Sequence, residues 1–159
     1  SEGIFFTIQD EKALVNKFRE NLELYFDSIT RGEEFKKSSS KKEILWVDDR
    51  PENNVYERNI LEKYGLTFSL ALSTQQALHY MKHNKFALII SDMGRKEGIR
   101  EGYVLLEEIR KMDKKIPFII YAGSKKKEHV DEALRGGAQG CTNNPGELID
   151  LVLKNLLKN

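Results

Sequence analysis

The stretch "ILWVDDRPENN" (residues 44–54) places two aspartates, Asp48 and Asp49, directly after a run of large apolar residues. A short, unbroken apolar run that ends at a turn signal is typical of a strand buried on both faces. Such a strand does not ordinarily finish in paired negative charge, because burying charge is costly unless the charge is paired. The two aspartates therefore mark this strand end as a candidate site.

Strand-like and helix-like segments alternate along the chain from this point onward. The five apolar, strand-like runs occupy residues 43–47, 67–72, 86–91, 117–122 and 140–143. Segments with helical spacing follow them, the first opened by Pro51 and the second capped by Ser73 or Thr74. Five strands alternating with five helices predict an α/β domain with a parallel sheet covered on both faces.

Composition narrows the class of protein without naming its function. The chain has 159 residues, which favours one domain with some extra material, and its net charge of +1 indicates no preference for nucleic acid or an anionic membrane. A single cysteine, Cys141, excludes an internal disulfide, and we interpret it as a small core residue. No apolar stretch approaches the roughly 20 residues that span a bilayer, and no signal peptide opens the sequence. We therefore expect a cytoplasmic protein.

The sequence divides into three parts. Residues 1–29 form an N-terminal extension with a short strand-like stretch, "GIFFTI", followed by a helix with Asp10 as its N-cap. Residues 30–42, "TRGEEFKKSSSKK", are polar and rich in lysine and serine, which predicts a linker. Residues 43–159 form the α/β domain.

The helix of the extension carries one apolar stripe, made of Leu14, Phe18, Leu22 and Tyr25. A lone helix of this length is marginal in water, so the stripe needs a partner. Two interpretations remain open. Either the stripe packs on the domain that follows, or it pairs with another subunit or belongs to the end of an upstream domain.

A third aspartate, Asp92, ends the third strand-like run in "ALIISDMG". Sites in open α/β sheets form beyond the carboxyl ends of the strands, so Asp48, Asp49 and Asp92 are expected at one edge. Clustered carboxylates raise one another's pKa unless a cation is present, and oxygen ligands of this kind suit Mg²⁺. The alternative is that each aspartate caps the next helix, which suits Asp49 better than Asp92.

Five motifs in this order give the chain a family resemblance: "ILWVDD", "LIISDM", "GYVLLEEIR", "IPFIIYAG" and "GGAQGCTNNP". Over residues 43–158 they resemble the receiver domains of two-component response regulators. The resemblance implies a flavodoxin-like, CheY-like five-stranded parallel sheet with helices on both faces. It implies that Asp92 accepts a phosphoryl group from a histidine kinase or phosphotransfer protein. It further implies that Asp48, Asp49 and the backbone carbonyl of Gly94 hold Mg²⁺ beside Asp92.

The chain departs from the receiver pattern at two switch positions. Ala122 stands where receivers carry Thr or Ser, and Asn144 stands where they carry Lys. The aromatic residue of the fifth strand is also absent, and the loop after Asp92 is longer. The candidates to replace the missing hydroxyl and cation are Tyr121, Ser124, Arg95, Lys96 and Lys125–Lys127.

Three functions are compatible with these features, and we favour the first. It is signal transduction by an atypical receiver domain with Asp92 as phosphoacceptor. The alternative is a phosphorylation-independent pseudo-receiver that acts as an interaction or dimerisation module. The third is hydrolysis of a phosphate ester, which we disfavour because no general base, basic phosphate clamp or glycine-rich phosphate loop accompanies the carboxylates. The scattered histidines His79, His83 and His129 are expected to be surface residues rather than metal ligands.

Overall fold

The central feature is a five-stranded sheet whose neighbouring strands are all parallel, in the order β2-β1-β3-β4-β5. The computed structural model describes residues 8–38, 41–123 and 126–157. Its strands are β1 (Lys42–Val47), β2 (Leu66–Ala71), β3 (Leu88–Ser91), β4 (Phe118–Tyr121) and β5 (Gly140–Thr142). The predicted strands and the predicted parallel sheet are confirmed, with each strand end shifted by no more than a few residues.

Helices follow every strand and precede the first. They are α1 (Ile8–Ser38), α2 (Val55–Glu62), α3 (Thr74–His83), α4 (Glu101–Met112), α5 (Lys127–Arg135) and α6 (Pro145–Leu156), and a 3₁₀ turn (Pro51–Asn54) leads into α2. Local sequence explains several helix starts. The hydroxyl of Ser73 accepts a hydrogen bond from the backbone N–H of Gln76 at 3.0 Å, as expected of the N-cap of α3.

The strands are apolar on both faces because both faces of the sheet are covered. Ile44 and Trp46 point into a core shared with α1, α2 and α6. Leu45 and Val47 point into the opposite core, shared with α3, α4 and α5. All four side chains are almost completely buried. This two-sided burial is why the first strand reads as an unbroken apolar run rather than an alternating one.

Helix α1 packs against α2 and the turn that follows it, through contacts that extend from Asn21 to Phe35. Phe35 is 8% exposed, and its ring meets that of Tyr64 edge-on with 5.8 Å between ring centroids. The Tyr56 hydroxyl donates to the backbone carbonyl of Asn21 at 2.5 Å. At Gly32 the two backbones approach so closely that a Cβ would lie 2.3 Å from the carbonyl oxygen of Lys63. Only glycine permits this contact.

The prediction that residues 30–42 form a linker is wrong. The chain stays helical as far as Ser38, and Lys42 is already the first residue of β1. The error came from composition, because Phe35 is a single apolar anchor in a polar stretch. The surrounding glutamates and lysines are good helix formers, so the polar segment extends α1. Asp10 lies inside the helix rather than capping it, and "GIFFTI" falls outside the described residues except for Ile8.

The stripe predicted on the extension stays largely exposed, although the ammonium group of Lys63 lies 4.7 Å from the centroid of the Tyr25 ring. Leu14, Phe18, Leu22 and Tyr25 remain 41–65% exposed. Leu24 and Phe35 pack into the domain core from a different side of α1. The helix therefore carries two apolar faces, one used within the described chain and one exposed.

Candidate functional site

Three aspartates meet at the carboxyl edge of the sheet. Asp48 and Asp49 follow β1, and Asp92 follows β3, with the backbone N–H of Asp92 bonded to the Val47 carbonyl at 3.0 Å. One oxygen from each carboxylate lies within 4.8 Å of the other two. They line a cavity of about 760 Å³ whose wall also includes Gly94, Arg95 and Ala122. The predicted convergence of these aspartates is thus observed.

Neighbouring donors orient the two aspartates that follow β1. Asp48 accepts hydrogen bonds from the backbone N–H of Arg50 at 2.8 Å and from the Asn54 side chain at 3.3 Å. Asp49 accepts one from the backbone N–H of Lys96 at 2.9 Å. Asp49 therefore binds the loop after β3. It does not cap the helical segment after β1, which was the alternative interpretation.

Asp92 is the most deeply placed of the three carboxylates. Its side chain is 13% exposed. Burial raises the pKa of Asp92, the Arg95 guanidinium lowers it, and the charges of Asp48 and Asp49 raise it, which leaves the pKa at about 7. Near neutral pH this carboxyl group is poised between its acid and its ionised form.

Arg95 is a buried cation that contacts Asp92. Its side chain is fully buried, and its Nη1 donates to Oδ1 of Asp92 at 2.5 Å and to the Ser91 hydroxyl at 3.3 Å. Its other nitrogens bond Thr74 and Glu97 and approach Glu101. The backbone of Arg95 pairs with Gly98 through N–H···O bonds of 2.9 and 3.0 Å, which closes the loop after β3 into a tight turn. Sequence reasoning named Arg95 only as one of several candidates.

Ala122 and Asn144, which the resemblance predicts to be degenerate switch positions, differ in placement. Ala122 follows β4 and contributes a methyl group to the cavity wall. The side chain of Asn144 accepts a hydrogen bond from the backbone N–H of Glu147 at 3.0 Å and so caps α6. Its neighbour Asn143 lines the cavity instead. Asn144 is thus a structural cap.

The remaining candidates contribute less to the cavity. Tyr121 and Lys96 line it, and burial raises the pKa of the Tyr121 hydroxyl. Ser124 and Lys125 fall outside the described residues, while Lys127 opens α5.

The other potential ligands lie apart from the site. The rings of His79 and His83 lie 4.6 Å apart, but across residues 8–38, 41–123 and 126–157 the three aspartates are the one cluster of metal-type ligands. Cys141 is buried in the core beneath α4 and α5, as interpreted from the sequence, and burial raises its thiol pKa.

Thr74 and Glu101 belong to the site although the sequence did not point to them. Thr74 opens α3 and was predicted only as a possible helix cap, while Glu101 opens α4 and was not singled out. No spacing rule connects residues on two helices through a third residue in a loop.

Among the described residues, no helix combines the length and apolar character that crossing a membrane requires.

Comparison with known proteins identifies the family. The family model described as "Response regulator receiver domain" matches residues 44–154. The transcriptional regulatory protein ZraR of Escherichia coli is 31% identical over 96 residues, which cover 60% of this chain and 21% of ZraR. The probable transcriptional regulator ycf29 of Porphyra purpurea is 33% identical over 118 residues, covering 67% of this chain and 54% of ycf29. The match thus spans about a fifth of ZraR and about half of ycf29.

Solved structures agree with the sequence matches. A CheY-like receiver domain protein from Methanospirillum hungatei superposes with a TM-score of 0.65 and 26% identity, covering 75% of this chain and 96% of that one. A response regulator from Clostridium difficile gives a TM-score of 0.64 at 22% identity, covering 74% and 97% of the two chains, which supports the fold. The chain therefore belongs to the response regulator receiver domain family of two-component signalling.

Proposed function

We propose that this receiver domain transmits a signal through phosphorylation of Asp92. The observation that carries the proposal is the position of the Asp92 carboxylate, 13% exposed in a cavity between Asp48 and Asp49. In the reaction, a carboxylate oxygen of Asp92 attacks phosphorus, and the bond between phosphorus and the donor's leaving group breaks. The leaving group keeps that electron pair and takes a proton from solvent. The donor is a histidine kinase or phosphotransfer protein, as is usual for the family.

The acidic cluster fits a hard divalent cation such as Mg²⁺. Asp48, Asp49 and Asp92 offer only oxygen ligands, and those oxygens are close enough to reach one ion. The carbonyl of Gly94, on the wall of the same cavity, is the candidate backbone ligand. When bound, the cation supplies positive charge against the carboxylates and the phosphoryl oxygens. The chain's own residues hold Asp48 and Asp49 in place and shield Asp92 from water.

The departures from the receiver pattern bear on the response to phosphorylation. Ala122 has no hydroxyl to donate to a phosphoryl oxygen, and Asn144 carries no charge and caps α6. A ligand shifts a conformational equilibrium only by its differential affinity for the two states. Without these two contacts, little coupling runs from Asp92 towards α5, β5 and α6.

The test is phosphoryl uptake from a small-molecule donor. The protein is incubated with acetyl phosphate and Mg²⁺, and intact-protein mass spectrometry follows the addition of one phosphoryl group. We expect uptake in the wild type and none in Asp92→Asn. The matched control is Asp150→Asn, which removes an exposed aspartate of α6 and should retain uptake. Absence of uptake in the wild type, or uptake that survives in Asp92→Asn, would contradict the proposal.

A second candidate function is association with another copy of the chain through α1. Val15, Phe18, Leu22, Tyr25 and Ile29 recur at spacings of three, four, three and four residues. This spacing is typical of a coiled-coil seam, with Val15, Leu22 and Ile29 at its a positions. Two of these three residues are β-branched, which favours a two-stranded coiled coil. All five side chains are 41–65% exposed. Leu24 and Phe35, which pack against the domain core, lie on another side of the helix.

The oligomeric state tests this second function directly. Light scattering of the full chain should report a dimer, and Leu22→Glu should convert it to a monomer because the charge would enter the seam. Glu23→Gln changes the neighbouring exposed position and should leave the dimer intact. A wild type that is monomeric at tens of micromolar excludes this function and leaves the first one standing.

A further inference from the structure

The buried guanidinium of Arg95 is the feature of the site that the receiver pattern does not account for. Its side chain has no solvent exposure, yet it lies among three carboxylates: Asp92 at 2.5 Å, Glu97 at 3.1 Å and Glu101 at 3.8 Å. A fully buried charge persists only when its donors are satisfied by good partners. The surroundings of Arg95 meet that condition on every side.

The partners of Arg95 belong to different structural elements. Ser91 ends β3, Thr74 is the first residue of α3, and Glu101 is the first residue of α4. One nitrogen of Arg95 contacts the strand end, and another bonds the Thr74 hydroxyl and the Glu101 carbonyl. One rigid planar group therefore joins the acceptor strand to the starts of two helices.

Two further contacts tighten this connection. The carboxylate of Glu97 accepts from both Nε of Arg95 at 3.1 Å and the backbone N–H of Thr74 at 3.2 Å. The start of α4 lies directly on the acceptor: a Cβ at Gly102 would be 2.5 Å from the carbonyl oxygen of Asp92. A movement of Asp92 or of Arg95 therefore cannot leave the first turns of α3 and α4 unchanged.

We propose that Arg95 is the residue that detects the phosphoryl group on Asp92 and passes the change to the N-terminal turns of α3 and α4. This inference rests on the proposed phosphorylation of Asp92. A phosphoryl group adds oxygens and negative charge beside the guanidinium, whose fork of donors matches phosphate geometry. Arg95 then exchanges part of its bonding to Thr74 and Glu101 for bonds to the phosphoryl oxygens. The helix starts lose a common partner and shift.

The direction of the signal follows from where Arg95 makes its contacts. Every side-chain partner of Arg95 lies on β3, on α3 or α4, or in the loop that leads into α4. The cap residue Asn144 belongs to the other side of the site. The response to phosphorylation is therefore expected on the α3–α4 surface and not on α5, β5 and α6.

The experiment uses Mg²⁺ with beryllofluoride as the probe and amide chemical shifts as the readout. Bound probe is counted separately by fluorine NMR. In the wild type we expect shift changes in the first turns of α3 and α4, and in Arg95→Gln we expect those changes to be lost while probe still binds. Lys111→Gln removes an exposed charge at the far end of α4 and should respond as the wild type does.

A second variant separates signalling from folding. Thr74→Val keeps the shape of the side chain and the contact between Arg95 and Asp92. It removes the hydroxyl that accepts from the guanidinium and donates to Glu101 at 2.9 Å. It should bind probe normally and lose the response of α3. Arg95→Lys keeps a positive charge at this position and should retain part of the response that Arg95→Gln loses. Bound probe with an unchanged α3–α4 response in Arg95→Gln and Thr74→Val overturns the inference. Failure of the wild type to bind probe or take up phosphoryl overturns the proposed function instead.

Discussion

The two edges of the acidic cavity differ in how charge is supplied. On the edge formed by β3 and the following loop, a fully buried guanidinium bonds Asp92 and reaches α3 and α4. On the edge formed by β4 and β5, Ala122 brings only a methyl group, and the amide of Asn144 is occupied as a helix cap. A buried guanidinium thus lies against the proposed phosphoacceptor on one edge, while the two predicted switch positions on the other edge carry neither a hydroxyl nor a charge.

The largest expected effect is a loss of folding stability when Arg95 is replaced. Replacing Arg95 by Gln leaves the carboxylates of Asp92, Glu97 and Glu101 without their shared cation. Removing one partner of a buried charge pair costs about 3 kcal/mol or more. We expect urea denaturation to show a loss of about that size in the free energy of unfolding.

The matched control is Lys111→Gln, which breaks an exposed pair with Glu108. Exposed pairs contribute little to stability because solvent screens them, so this variant should unfold close to the wild type. Equal stability of the two variants would show that the Arg95 network contributes no more than a surface ion pair.

The next effect concerns the metal. Asp49→Asn removes one charged oxygen from the cluster and should weaken Mg²⁺ binding about tenfold, or about 1.4 kcal/mol. Amide shifts near the three aspartates, followed during a Mg²⁺ titration, measure this affinity. The wild type is expected to bind weakly and Asp150→Asn to bind as the wild type does. A wild type that shows no response at tens of millimolar Mg²⁺ would mean that the cluster is not a metal site.

The sequence predicts the sheet and the three aspartates of the cavity, but not the contacts of Arg95. The five strands were predictable because two-sided burial leaves long apolar runs, and the convergence of Asp48, Asp49 and Asp92 followed from the parallel order of those strands. The hydrogen-bond network of Arg95 could not be predicted, because it depends on the fold of an irregular loop. Periodicity carries no information about which of several loop cations turns inward.

Two local features could not be predicted, for the same reason. Residues 30–42 were predicted to be a linker because composition averages over a segment, while a single anchor, Phe35, decides the packing of its helical part. Asn144 remains a predicted switch position, and its additional role as the cap of α6 depends on a backbone N–H three residues further along. In both cases a single contact decides the local structure, and a single contact leaves no repeating pattern in the sequence.

A smaller effect is expected on the β4–β5 edge. Asn144→Ala removes the cap of α6 and should lower the free energy of unfolding by about 1 kcal/mol. The neighbouring Asn143→Ala changes an exposed residue that caps no helix in the described chain and should be close to neutral. Chemical denaturation of both variants checks this difference. Equal effects would mean that Asn144 matters for a reason other than its cap.

The smallest effect is expected from restoring the usual switch residues together, in Ala122→Thr with Asn144→Lys. The threonine adds one hydroxyl donor, and such a hydrogen bond contributes about 0.5–1.5 kcal/mol. The lysine adds a charge but removes the α6 cap, which costs about 1 kcal/mol of stability. With Mg²⁺ and beryllofluoride, we expect a modest increase in amide shift changes around α5, while the response of α3 and α4 persists. If the restored pair instead abolishes the α3–α4 response, the two edges compete for the phosphoryl group, and Arg95 binds it only where lysine and hydroxyl are absent.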